Sequence, residues 1–400
     1  MEQAELKRFA QESVVGQGKA ITNAKMTPKE RWQRVFHYQA VDRIPCYEFG
    51  YWAELYAEWH EQGLPREITT EAQLDAFFGY DRRTGFPVNV DLSPRFEYKV
   101  LQEDEHHMVV QDTNGSIGEV NKDGSSSIPH FLSFPVKNRD DWARFKERLN
   151  PDTPGRLPAD ALERAARLRE SNLPVGINIG SLFGRPRDWM GFETIAMMVY
   201  DDPWLVEDMV ETMCNLIIET IKPALRLVQF DCAGGWEDMA FNNGPIISPK
   251  MFRDLVAPRC KRIADLLRQH GVDVIWTDCD GNITQLVPHW LEAGYNCLFP
   301  IEVRAGTDPV ALRQRHGRDL LLLGGFDKMA LLAGREAILA ELKRLEPTVA
   351  EGGFIPHVDH RTPAGVKLAD YWYYVREKKA MLGWTPEEIM DCEAARCLTS

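Results

Sequence analysis

An α/β chain built as a (β/α)8 TIM-type barrel, with an antiparallel hairpin or small sheet inserted into it, is the architecture this sequence predicts. Three observations carry that expectation. From about residue 173, a short β-branched run, a polar or glycine-bearing tip and a helix-period segment follow one another six times, the pattern of a parallel sheet. The runs are apolar without alternation, as strands covered on both faces are. The stretch 95–135 instead alternates apolar and polar residues around Asn114-Gly115, a hairpin turn signal.

The units read in order. "LPVGINIG" precedes a helix near 203–221, "LVQFDCAGG" precedes a helix opening at Ser248, and "DVIWTDCDGN" precedes "ITQLVPHWLEAG". "NCLFPIEV", "LLLLGGFDK" and "GGFIPHVDH" follow, each with an amphipathic segment after it. Ser248 before Pro249 reads as an N-cap with proline at the first helical position, while Gly271, Gly294, Gly317 and Gly352 sit just past helix ends. The first two barrel units lie less legibly in the N-terminal half. The expected organisation is a single barrel domain over 1–400, with a β cap inserted at 95–135 and an N-terminal extension over 1–25.

Composition narrows the function. The net charge of -13 is spread along the chain with no basic stripe to neutralise phosphates, which argues against a nucleic-acid partner. The first residues lack an apolar signal region and no run approaches eighteen apolar residues, so a cytoplasmic protein with no membrane partner is expected. Eight cysteines without a CxxC pair fit reduced thiols.

In a parallel barrel, chemistry gathers at the C-terminal strand ends. Here five consecutive tips carry ionisable groups: Asp231 and Glu237, then Asp278 and Asp280, then Glu302, then Asp327 with Lys328, then His357, Asp359, His360 and Arg361. Singly, each acid is as well explained by caps and turns. Crowded together they must be protonated, paired with Lys328 or Arg361, or bound to a cation. The rings of Tyr51, Trp52, Phe183, Trp189 and Trp236, with Asn178 at its own strand end, suit an apolar or aromatic ligand, although ordinary core or homodimer contacts would use the same residues. No GxxxxGK[ST], HExxH, GxSxG triad or GxGxxG is present, which sets aside the common nucleotide, zincin and hydrolase readings.

"MTPKERWQRVFHYQAVDRIPCYEFGYW", "ISPKMFRDLVAPRCKRIADLLRQHG", "LEAGYNCLFPIEVRAGTDPVALRQRHGRDLLLLGGFDKMALLAG" and "EGGFIPHVDHRTPAGV" together resemble the uroporphyrinogen decarboxylase superfamily, over roughly residues 26–382. The superfamily comprises the decarboxylase and corrinoid-linked methyltransferases on a (β/α)8 barrel. The decarboxylase branch carries an arginine-rich segment after the first strand; "CYEFGYWAEL" has no arginine there and offers Glu48 and Glu54, which disfavours a multiply anionic tetrapyrrole. The zinc methyltransferases carry His-x-Cys-Gly where this chain has Asp278, Asp280 and Gly281, so thiolate ligation is lost.

The resemblance, through "EDMAFNNGPIISP" and "FPIEVRAGTD", is closer to the branch associated with anaerobic O-demethylation, and implies methyl transfer from a small methyl ether, often a methoxyarene, to a corrinoid (cobalamin) held on a partner protein. Help at the ether oxygen is the chemical need, either from an acid or from a divalent metal such as zinc. Asp280, His360, Glu237, Asp278 and His357 are the candidate catalytic groups. Tyr51, Trp52, Asn178, Phe183, Trp189, Trp236 and Arg361 are the candidate substrate contacts, and Asp280, Glu302, His357 and Asp359 the candidate metal ligands. A decarboxylase or lyase gripping a small acid with Arg185, Arg187 or Arg361 is the alternative, and a non-catalytic binding protein the second.

Overall fold

β-Branched runs ending in glycine or acid do become parallel strands, and the chain groups them into two units. The computed structural model describes residues 25–122 and 129–398, so the extension expected over 1–25 lies outside the described residues apart from Lys25. A central unit comprises Thr84–Ser171 with Val175–Asn296; a terminal unit comprises Met1–Arg83, Asn172–Pro174 and Cys297–Ser400.

In the central unit, strand β1 (Thr84–Phe86) is followed by an antiparallel sheet of β2 (Lys99–Glu103), β3 (His107–Gln111), β4 (Ile117–Asn121) and β5 (His130–Ser133), ordered as they occur in the chain. This is the inserted sheet expected near 95–135. Asn114-Gly115 makes the β3–β4 turn: the Asp112 carboxylate accepts from the Asn114 and Ser116 amides, and Gly115 takes φ 91°. The chain then supplies β6 (Val175–Asn178), β7 (Cys232–Trp236), the short ribbon β8 (Ala240–Phe241) with β9 (Gly244–Pro245), and β10 (Ile275–Asp278). β1, β6, β7 and β10 pair in that order, all parallel.

The two glycines of β7 are there for close approach. A Cβ on Gly234 would lie 1.9 Å from Cε2 of Trp276, and one on Gly235 would lie 2.5 Å from the Gly180 carbonyl oxygen. Helix phasing follows the caps: the Ser248 hydroxyl accepts from the Met251 amide at 3.2 Å, starting the helical run that ends at Gln269, and Gly294 closes the helix Val287–Ala293 at φ 95°.

In the terminal unit, β11 (Cys297–Phe299), β12 (Leu321–Phe326) and β13 (Phe354–Val358) pair in parallel in that order. Every residue of β12 and β13 is buried, as their unbroken apolar runs require. The helix Pro28–Phe36 opens with the capping box of Thr27 and Glu30.

A closed ring of eight strands is not formed among the described residues, which corrects the full barrel expected from the repeat. Beside β13 the eighth position falls to residues 44–51, which meet the sheet through an isolated Tyr51–Thr362 bridge. Gly50, at φ 140°, breaks the extended backbone, and the Glu48 carboxylate, rather than a carbonyl, takes the Val358 N–H at 2.9 Å. That carboxylate is fully enclosed, 2.9 Å from the equally buried Lys378 ammonium and within hydrogen-bond reach of the Tyr374 hydroxyl at 3.1 Å. Burial opposes its charge, but Lys378 and the other donors hold its pKa below the usual carboxylate range.

All eight cysteines are free thiols, seven of them buried. No helix among the described residues is long and apolar enough to cross a membrane.

Candidate functional site

The two strand ends of the central unit, after β7 and β10, are tied by the Glu237 N–H donating to the Asp278 carbonyl at 2.8 Å. This brings together three carboxyl groups. Asp238 turns at φ 40°, a strained value for a residue with a side chain, and accepts a hydrogen bond from the Asp280 amide. Gly281 lets the β10 tip close on the ribbon, since a Cβ there would sit 2.6 Å from the Ala240 carbonyl oxygen. Burial, then the charges of Asp238 and Asp280, push the Asp278 carboxyl up to about 9; burial, then Asp280, push Asp238 up to about 6. At neutral pH the cluster therefore offers the Asp278 carboxyl in its protonated form. Cys279, between the acids, is wholly buried and takes the Met239 amide on its sulfur at 3.3 Å; burial raises its thiol well above the usual range, so it is no nucleophile.

Glu237 faces away from solvent. Its carboxylate accepts from the amides of Leu182 (2.8 Å), Phe183 (2.7 Å) and Gly184 (3.1 Å) and from the Ser181 hydroxyl (3.1 Å). Burial outweighs these donors and raises its pKa. The group anchors the chain entering the helix Gly184–Met190, a positioning task rather than the catalytic one expected of it. Phe183 and Trp189 are wholly buried, Trp189 against Phe145 at 4.8 Å and Trp142 at 6.3 Å, and so are core residues and not substrate contacts. Trp236 is half-buried, with the Arg185 and Arg187 guanidinium groups 5.0 and 5.8 Å from its ring. Asn178 is exposed and caps its own strand end, accepting from the Gly180 amide at 2.7 Å. Asp231 precedes β7 rather than following it, and its carboxylate holds the Val175 amide at 2.7 Å; it belongs to the opposite end of the sheet.

In the terminal unit, His357 is buried within β13 with Nδ1 2.8 Å from the Val358 carbonyl oxygen, and burial depresses its pKa to about 4. Asp359 is fully buried and accepts from the Val303 and Lys328 amides at 2.9 and 3.0 Å, while Glu302 pairs with the Lys328 ammonium at 3.2 Å. Burial lifts Asp359 to about 6. The carboxylate oxygens are thus turned to amides and an ammonium, and no group of three His, Cys, Asp or Glu able to hold a metal ion occurs among the described residues. The expected set Asp280, Glu302, His357 and Asp359 does not fit a metal, and Asp280 belongs to the other unit.

His360 and Trp52 are half-buried and stacked, with centroids 5.8 Å apart, and Phe49 sets its edge to His360 at 5.3 Å and to Phe299 at 4.6 Å. Arg361 lies 5.9 Å from the Phe49 ring centroid, donates to the Tyr51 carbonyl at 3.0 Å and pairs with Glu71. Tyr51 is itself core: its hydroxyl sits 3.3 Å from that of Tyr371 and 3.4 Å from Asp75. Sequence reasoning missed Asp238, Phe49 and Phe299. Asp238 follows Glu237 in the acidic pair "WED", a signal that was visible, whereas nothing in the spacing of Phe49 and Phe299 announces that they meet.

Comparison with known proteins agrees with this architecture. Residues 119–379 match the family described as uroporphyrinogen decarboxylase (URO-D). The uroporphyrinogen decarboxylase of Bordetella petrii is 24% identical over 328 residues, 74% of this chain and 83% of that protein. Among solved structures, a methyltransferase from Methanosarcina mazei superposes with a TM-score of 0.56 at 15% identity, covering 91% of this chain and 99% of that one, a likeness of fold.

Proposed function

The chain belongs to the uroporphyrinogen decarboxylase family, and from that premise we propose that it is a methyltransferase, moving a methyl group from a small aromatic methyl ether to a corrinoid carried by a partner protein. The observation that carries this reading is the Asp238–Asp278–Asp280 cluster, with Asp278 raised to about 9 and so protonated at neutral pH. The corrinoid supplies the nucleophile for the methyl carbon. As the methyl–oxygen bond breaks, its electron pair stays on oxygen, and Asp278 delivers its proton there, so that the leaving group departs as a neutral alcohol or phenol. Asp278 is left as a carboxylate among like charges, which favours its reprotonation from solvent before the next turnover. The donor set gives no metal site, so no step runs through one.

Of the three arginines expected to grip a small acid in the lyase alternative, Arg185 is already paired with Asp91 at 2.7 Å and Arg187 with Asp188 at 3.1 Å, which leaves that task to Arg361. The enclosure of Glu48 by Lys378 removes one argument against an anionic substrate, because that charge faces no ligand; the missing arginines in "CYEFGYWAEL" remain.

The test is spectroscopic. Enzyme mixed with reduced corrinoid protein, or reduced free cobalamin, and a panel of methoxyarenes should convert the cobalt spectrum to the methylated form with at least one donor. Asp278→Asn should slow this by about 10²–10⁴-fold. An unchanged spectrum across the panel, with carbon dioxide released from a small acid instead, would overturn the reading in favour of a lyase.

A further inference from the structure

We propose that Trp276 is a specificity-determining residue: its indole is the floor on which the substrate lies beside Asp278, and Gly234 beneath it sets the height of that floor. The inference rests on the methyl-ether reading above and adds the surface that holds the ligand, built entirely within the central unit.

Strands of a parallel sheet are ordinarily buried on both faces. In β6, β7 and β10 only one face obeys. Ile177, Ala233, Gly235, Ile275 and Thr277 share a face and are all buried. The alternate positions carry Asn178, which is exposed, and Trp236, Trp276 and Asp278, which are half-buried. Register keeps this second group together: Asn178 and Trp276 stand opposite Gly234 from the two sides of β7, and Asp278 stands opposite Trp236. A sheet face left open at the C-terminal strand ends, floored by an aromatic ring and edged by a carboxyl group, is where a barrel-type sheet receives a ligand.

Gly234 is what gives the indole its place. A Cβ there would come within 1.9 Å of Cε2, 2.0 Å of Cζ2 and 2.5 Å of Nε1, so the ring of Trp276 fills the space of the missing side chain. Trp276 and Asp278 are two residues apart on one face, a separation of about 7 Å along the strand. An oxygen on the edge of a ring lying over the indole reaches the carboxyl across that distance with one hydrogen bond.

Calorimetric titration of the full chain would compare methoxybenzene with methoxycyclohexane, which has a similar size and no π face. Stacking should make methoxybenzene bind about two- to tenfold more tightly. Trp276→Leu should lose most of that preference, and Trp276→Phe should keep part of it. Gly234→Ala, which lifts the indole into the ligand's space, should weaken both ligands about tenfold. Thermal unfolding would check that each variant is folded; if Gly234→Ala is not, the two Trp276 variants decide. Equal affinity for the two ligands in the wild type, absence of binding by either, or a Trp276→Leu variant with the wild-type preference would overturn the proposal. Methyl transfer from an aryl methyl ether with KM unchanged in Trp276→Leu would sink this inference alone. Trp276-dependent binding without methyl transfer would sink only the functional reading.

Discussion

The backbone of Glu237 and the backbone of Asp278 are joined at 2.8 Å, so the residue that clamps the chain before Gly184–Met190 also sets the height of the buried acid on the neighbouring strand. Removing the Glu237 carboxylate leaves three amides and a hydroxyl without their acceptor. Glu237→Ala should cost on the order of 3–5 kcal/mol in urea unfolding, and Glu237→Gln less, because the amide oxygen keeps part of the acceptor role.

Asp278 carries a stability cost that its replacement should reveal. Below about pH 4 folded and unfolded chains both hold the proton. Between there and about 9 only the unfolded chain releases it, so the folded state loses stability as pH rises through that window and levels off above it. Asp278→Asn should therefore melt at a higher temperature than wild type at pH 8, with the two converging towards pH 4. A variant less stable at pH 8 would refute the raised pKa.

With Asp278 raised to about 9 and acting as the proton donor, the rate of methyl transfer should fall as pH rises through that value. Asp238→Asn removes one of the charges that raise Asp278 and should move the fall to lower pH. A profile flat from pH 5 to 10 would exclude the cluster from the rate-limiting step.

Because the donor set does not fit a metal, extended dialysis against a strong chelator should leave turnover with corrinoid and donor unchanged. Loss of turnover restored by zinc would show that the carboxylates and His357 rearrange to a geometry different from this one.

Burial separates two tryptophans that look alike in sequence. Trp189, wholly enclosed, should cost about 3–5 kcal/mol on replacement by alanine. Trp52, half-open beside His360, should cost little stability and instead weaken binding of an aromatic ligand, as read from KM or direct titration.

How much of this was legible follows from what periodicity encodes. The apolar runs at 274–277 and 354–358 identified buried parallel strands, and Ser248-Pro249 marked a helix start, because burial on both faces and capping leave direct traces in residue type. Strand termini leave none: Asp231 was expected after its strand, but the glycines of "CAGGW" are themselves the strand, made necessary by the Trp276 indole arriving from β10. Acids at five successive strand tips are expected in one place, whereas Asp231 lies at the other end of its strand and the meeting of Asp238 with Asp278 and Asp280 depends on a turn at Asp238 that no composition announces. Aromatic residues were the least legible, since Phe183 and Phe49 have the same chemistry and only packing distinguishes the enclosed ring from the half-open one.

Strand pairing by backbone is blind to side-chain identity, which lets most of a sheet change its sequence freely. Beside β13 that freedom is withdrawn, because the Val358 amide is held by the Glu48 side chain, whose charge is in turn held by Lys378. A single exchange that removes the charge at position 48 or 378 leaves the other without its partner in the interior. Sequence drift here is therefore confined to paired steps, and the route from this arrangement to a regular eighth strand passes through a poorly folding intermediate. A designer wishing to close the ring would have to change both positions at once.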